Sequence, residues 1–289
     1  LRVLCVVPHM DLLTSISAEL GLRFAEWAKG QGHDVRVLYS WEATRLPLLI
    51  SLFGEPDFIY YAGHGSLDTL LGNEFFLGLV TPFNANWLRE RVTAVMACLS
   101  ASVLGKQVVE EGGYAYVGAT DLLYAAFNEL DHNYLDDWLS YMMELPKGIV
   151  SNLTLGEALE NLKREALSYA DTYTGLENGD WYSSTFRHNA NVYTVVGNSN
   201  LRLSDVTKRE QAPMGFVEGL QYLFREDVLR ASWPDAVRSL MSFGVVAGTI
   251  AGLVVPSAVD FVAERTGAPK PFAELAKKAL VSVAAMAPT

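Results

Sequence analysis

The sequence predicts an α/β protein: a three-layer α/β/α sandwich around a mostly parallel central sheet, followed by a hydrophobic helical C-terminal tail. Three observations predict it. Five short runs rich in Val, Ile, Ala and Tyr recur within the first 118 residues. Segments between them carry helical spacing, which favours parallel strands joined by crossover helices. From residue 239 to residue 259 no charged residue occurs, so the end of the chain differs in kind from what precedes it.

The elements follow in order. Residues 2–8, RVLCVVP, form the first strand, an apolar run of the kind buried on both faces. Residues 15–29 follow as a helix, with Leu20, Phe24, Trp27 and Ala28 on one side and Gly30 and Gly32 at its end. Residues 34–39 form a second strand and residues 46–53 a short helix. The third strand, 57–62, closes on Gly63-His64-Gly65. Residues 86–91 read as helical, and the fourth strand, 92–97, runs straight into Cys98. A helix over 99–111 and a fifth strand over 114–118 complete the alternation. Two longer helices, 121–145 and 154–170, then a late strand at 193–196, close an α/β unit near residue 205.

Composition bounds the function. About half of the 289 residues are apolar, enough for one large core with an appendage. With 33 acidic and 22 basic residues the net charge is -11, and no basic cluster occurs. Nucleic acid is thereby disfavoured as a partner, because basic side chains must replace its counterions. The acidity favours basic peptides at long range. No nucleotide loop of the GxGxxG or Walker type and no GxSxG elbow is present.

The tail, residues 206–289, is expected to be helical. Its uncharged segment 239–259 has 21 residues, long enough to span a bilayer as a helix. Membrane attachment, a protein partner and burial against the rest of the chain all stay open. Basic residues flank it on both sides, so orientation is undetermined. Beyond it, Phe272, Leu275, Ala276, Leu280 and Val283 give a second amphipathic stretch. The chain begins at Leu1 rather than Met, which leaves room for a removed signal or pro-segment. A secreted or membrane-associated location is the favoured expectation, with a cytoplasmic one left open.

A parallel α/β sheet presents its chemistry at the carboxyl ends of its strands. His64 follows the third strand and Cys98 follows the fourth, so neighbouring strands would bring both to one edge. A thiol needs a base or an imidazolium beside it to become an effective nucleophile. Gly65 leaves room for a substrate carbonyl, and its N–H with that of Cys98 could face the developing oxyanion. A helix opening at Cys98 would add help from its N-terminus. Cys5 reads as a small buried hydrophobe in mid-strand, and two cysteines permit one disulfide on count alone.

Four segments carry a family resemblance: FIYYAGHGS at 58–66, VTAVMACLSAS at 92–102, GGYAYVGAT at 112–120 and VYTVVGNSNLRL at 192–203. Together they resemble the caspase–gingipain superfamily of cysteine peptidases. There a His-Gly follows one hydrophobic strand and an Ala-Cys the next. The 34-residue spacing from His64 to Cys98 is closer to the gingipain-like branch. The last segment is similar to that branch's closing GDPSLRL, with Asn198 where Asp is often found. The resemblance covers residues 1 to about 205. It implies a caspase-like fold and peptide hydrolysis through a thioacyl intermediate on Cys98, with His64 as base and then acid. No cofactor is required, and the substrate is a peptide or protein. An inactive scaffold or interaction module that keeps the fold is the alternative.

Other polar residues have plainer readings beside functional ones. Asp11, after the first strand, reads as a helix start; cleavage after Arg or Lys, as implied by the resemblance, would make it a pocket acid. Asp121, Glu129, Asp131, Asp136 and Asp137 form an acidic cluster. It reads as a solvated helix face, while the resemblance leaves structural calcium open. His9 shares the expected active edge; His33 reads as a turn residue. His132 and His188 lack ligand spacing, so no metal centre is expected.

Overall fold

The computed structural model describes residues 1–73, 78–125, 134–176 and 179–206. All of them lie in the first of two units of the chain, Leu1–Pro213. The expectations for 239–259 and 271–286 fall outside the described residues, as do His132, Glu129 and Asp131 of the acidic cluster. No helix among the described residues is long and apolar enough to cross a membrane.

Six strands form one sheet: β1 (Arg2–Val7), β2 (Asp34–Tyr39), β3 (Phe58–Ala62), β4 (Val92–Met96), β5 (Ala115–Ala119) and β6 (Tyr193–Gly197). Their spatial order is β2-β1-β3-β4-β5-β6, parallel except for β6, which runs antiparallel to β5. β3, β4 and β5 are buried along their whole length, as continuous apolar runs between two helical layers require.

Alternation along the strands divides the core. Cys5, Tyr60, Ala94 and Val117 point into the cluster built by α1 (Leu12–Gly30), α4 (Tyr134–Val150), α5 (Leu155–Tyr173) and α6 (Gly179–Val192). Phe24 of α1 anchors this side, with its ring edge-on to Tyr60 at 5.0 Å. The opposite face is covered by α2 (Arg45–Leu52) and α3 (Leu104–Glu110), whose buried residues include Leu48, Leu52, Leu104 and Val108. A short helix, α7 (Leu203–Val206), ends the described chain. The architecture is therefore the expected α/β/α sandwich with a mostly parallel sheet.

The helices depart from expectation in four places. The segment expected to be helical over 86–91 is a 3-10 stretch at Pro82–Leu88, capped by Thr81 and Asn84. It stops because Glu90 adopts φ +57 and donates its N–H to Gly112 O at 2.9 Å. The helix expected over 99–111 is only Leu104–Glu110. Leu99 sits at φ +58, and Ala101 N–H is drawn to Ala119 O of β5 at 2.8 Å, so tertiary bonds hold the first residues out of the helix. Residues 121–125 are not helical, and α4 is described over Tyr134–Val150. The helix α6 is unforeseen: its sequence is rich in Ser, Thr and Asn, which favour caps over helix interiors.

Candidate active site

The β3–β4 register builds the site. Ala62 pairs with Met96, and Gly63 N–H donates to Met96 O at 3.0 Å. His64 and Cys98 each lie two residues beyond that pair, on adjacent parallel strands and at the same carboxyl edge. Beneath the His64 turn, Tyr61 Oη donates to His64 O at 2.7 Å and also approaches Leu71 O at 2.6 Å. The turn is closed by Leu71 N–H to His64 O at 3.1 Å and Ser66 N–H to Thr69 O at 2.8 Å.

Gly65 lies against the Cys98 backbone. A Cβ at Gly65 would stand 2.8 Å from Ala97 Cβ and 3.0 Å from Cys98 O. The N–H groups of Gly65 and Cys98 have no acceptor among the described residues. Two backbone donors at this turn thus have no competing bond. Immediately after the cysteine, Leu99 takes the left-handed conformation, a costly one for a residue with a Cβ. It is held by Leu99 N–H to Asp121 O at 3.0 Å.

Cys98 is partly exposed, and its Sγ accepts the Leu123 N–H at 3.3 Å. The expected helix opening at Cys98 is not formed. The next helix in the chain, α3, begins at Leu104, six residues after the cysteine. Cys5, by contrast, is fully buried in β1, and burial pushes its thiol up to about 12. Both cysteines are free.

The partner of His64 is Asp11. His64 Nε2 lies 2.8 Å from Asp11 Oδ2. A carboxylate only accepts, so Nε2 carries the proton and Nδ1 presents the lone pair of the neutral ring. Asp11 also caps α1: its Oδ1 accepts Thr14 N–H at 2.8 Å, and Thr14 Oγ1 accepts Asp11 N–H at 2.8 Å in return. The two oxygens of one carboxylate therefore serve the helix start and the imidazole. These bonds, the Thr14 N–H first, hold the Asp11 carboxyl down to about 2.

Two measurements follow for Asp11. Asn caps helices as well as Asp does, so Asp11→Asn is expected to keep the helix start and to lose at neutral pH only the stability that the carboxylate's charge contributes. Asp11→Ala is expected to lose about 1 kcal/mol of stability as well. Because the folded-state value lies below the ordinary 3.8, Asp11 contributes stability above pH 3.8 that is lost as pH falls towards 2. In Asp11→Asn that part of the acid transition should flatten, as read by circular dichroism against pH.

The other polar residues singled out in the sequence have structural partners of their own. His9 is held by Ser15 Oγ at 2.8 Å and Tyr39 Oη at 2.7 Å. His33 follows α1 in a turn, its N–H on Ala28 O at 3.1 Å. Within the acidic cluster, Asp136 pairs with Arg23 at 3.1 Å and Asp137 accepts from Tyr173 Oη. No group of three or more metal-binding side chains occurs among the described residues. A concavity of about 500 Å³ opens between α5 and α6 among Lys163, Arg164, Asp171 and Asn191 and contains neither His64 nor Cys98.

Sequence reasoning missed the segment that touches the thiol. Residues 122–124 are fixed by α6: His188 Nε2 lies 2.9 Å from Leu122 O, and the Asn189 side chain bonds both Tyr124 N–H and Tyr124 O. The only signal in the sequence was the stripe Tyr182, Phe186, Ala190, spaced by four.

Fold and site together give a three-layer α/β protein with His64 and Cys98 at the carboxyl edge of one mostly parallel sheet and Asp11 hydrogen-bonded to His64. No protein-family model matches the chain. No curated protein matches it either. Among solved structures, the Arg-specific cysteine proteinase gingipain R is similar at 15% identity and a TM-score of 0.44, over 70% of this chain and 47% of that one. The complex of the Porphyromonas gingivalis RgpB pro- and mature domains is similar at 13% identity and a TM-score of 0.45, over 70% and 48%. The chain thus spans about half the length of these structures. Likeness this loose carries no argument about activity.

Proposed function

We propose that the chain is a cysteine endopeptidase of the caspase–gingipain kind, with Cys98 as nucleophile, His64 as general base and acid, and Asp11 orienting His64. The observation that carries this reading is the β3–β4 register, which sets His64 and Cys98 level at one edge while Asp11 fixes the His64 tautomer. His64 Nδ1 takes the thiol proton as Sγ attacks the scissile carbonyl carbon. The Gly65 and Cys98 amides face the oxyanion. Collapse breaks the C–N bond, and the leaving amine takes the proton from His64. Water, deprotonated by the same ring, then cleaves the thioester and returns the thiol.

A basic P1 residue, Arg or Lys, is the finer part of the proposal. Segments 8–14, 63–73, 97–103 and 119–125 supply Asp11, Asp68 and Asp121 to the active edge and contain no Lys or Arg. Asp11 is taken up by His64, so this preference leans on Asp68 and Asp121 rather than on a pocket built around Asp11.

The test is digestion of a peptide library by the full chain, read by mass spectrometry. Thiol-dependent cleavage that disappears in Cys98→Ala is expected, with Arg and Lys dominant before the cut. No thiol-dependent cleavage would overturn the assignment; a profile dominated by acidic or aliphatic residues would overturn the preference alone.

A further inference from the structure

We propose that Asn189 is the positioning residue of the Cys98 site, clamping the Tyr124 peptide so that the Leu123 amide is held on the Cys98 sulfur. The proposal rests on Cys98 being the nucleophile. Asn189 lies on α6 with no exposed surface, where a primary amide is costly unless bonded. Two of its three bonds go to the backbone of one residue, Tyr124. Oδ1 accepts Tyr124 N–H at 3.0 Å, and Nδ2 donates to Tyr124 O at 2.7 Å and to Tyr141 Oη at 2.9 Å. Trp138 Nε1 adds a second donor to Tyr124 O at 2.9 Å.

One residue earlier in α6, His188 holds Leu122 O at 2.9 Å, and its ring packs on Tyr124 at 4.6 Å between centroids. Leu123 is therefore pinned on both sides by consecutive residues of α6. Between the two pins its N–H meets Sγ at 3.3 Å.

A backbone N–H at this place favours the anionic sulfur over the neutral thiol, because a donor bonds an ion more strongly than a neutral acceptor. The sulfur carries negative charge twice in the cycle: as its proton passes to His64 during attack, and again when the thioester is cleaved. With α3 beginning only at Leu104, the Leu123 amide does the work that a helix N-terminus would have done. Asn189 touches neither sulfur nor substrate; it acts through Leu123.

The test is alkylation of Cys98 by iodoacetamide in the full chain at neutral pH, with fully buried Cys5 as internal control. Asn189→Ala is expected to slow alkylation about tenfold, the scale of one charge-assisted hydrogen bond, and to lower kcat with little change in KM. Trp138→Phe removes one of the two donors on Tyr124 O and should fall between Asn189→Ala and wild type; it also gives the reading if Asn189→Ala fails to fold.

Two results overturn the proposal. An unchanged rate in Asn189→Ala, well below its unfolding temperature, makes Asn189 a core residue only. A faster rate makes residues 122–124 a cover over the thiol. If alkylation slows as expected while the wild type cleaves no peptide, the peptidase reading fails and the positioning role stands.

Discussion

Cys98→Ala is expected to abolish peptide hydrolysis, His64→Ala to lower kcat by about three orders of magnitude or more, and the double variant to be no worse than Cys98→Ala alone. The expectation follows from roles that operate as one unit. Without the sulfur no thioacyl intermediate forms, and the base has nothing to deprotonate. Without the imidazole, the thiol must ionise unaided and the leaving amine has no proton donor. Removing either group therefore removes most of what the other contributes, and the losses do not add.

Stability separates this result from misfolding. Cys98 is partly exposed, and His64 sits in a half-buried turn with its side chain 32% accessible. Neither truncation empties a core position, so thermal unfolding should move little while activity collapses. Cys98→Ser is expected to be nearly as inactive as alanine, because a hydroxyl beside the same base is a far weaker nucleophile. Measured kcat/KM for the four proteins on one peptide decides the matter. Full activity in either single variant removes the mechanism.

Most of the sheet was legible in the sequence, because strands buried on both faces read as unbroken apolar runs. FIYYA and VTAVM were placed within a residue of Phe58–Ala62 and Val92–Met96. The two residues that follow them could be read for the same reason: the end of a parallel strand is a fixed place. What escaped was set by contacts between distant residues. Helix propensity over 99–111 gave no warning that Leu99 would be turned to φ +58 by a bond to Asp121.

Asp11 shows the same limit at the site. As a helix start it was legible, since an Asp before an apolar stretch is a local signal. Its second oxygen meets a histidine 53 residues later, and nothing local encodes that. Asn189 was less visible still. It stands in a polar run that reads as surface, and only its bonds to Tyr124, 65 residues earlier, show that it is interior and specific.

Gly65 offers the other large effect, one that reports on backbone geometry rather than on a reactive group. The residue has no left-handed conformation to excuse it, so a substitution there is judged on space alone. The space is absent. A methyl would meet Ala97 Cβ at 2.8 Å and Cys98 O at 3.0 Å, closer than such atoms pack. Neither atom is the free end of a flexible side chain; one is fixed to the backbone that follows β4 and the other belongs to it. The strain must then be relieved by parting the His64 turn from the Cys98 peptide. That movement misplaces the Gly65 N–H, shifts His64 away from Asp11 and Cys98, and widens the edge where the carbonyl must sit. A displacement of about 1 Å at a catalytic group costs roughly a hundredfold in rate, and overpacking costs about 1–3 kcal/mol in stability. Gly65→Ala is therefore expected to lower kcat about a hundredfold and to destabilise the fold, while Cys98 stays open to iodoacetamide. Gly30→Ala is the matched control, because at the end of α1 an added Cβ meets nothing within 4 Å. That variant should keep full activity and lose no stability. If Gly65→Ala retains wild-type kcat, the Gly65 amide does not take part in holding the oxyanion.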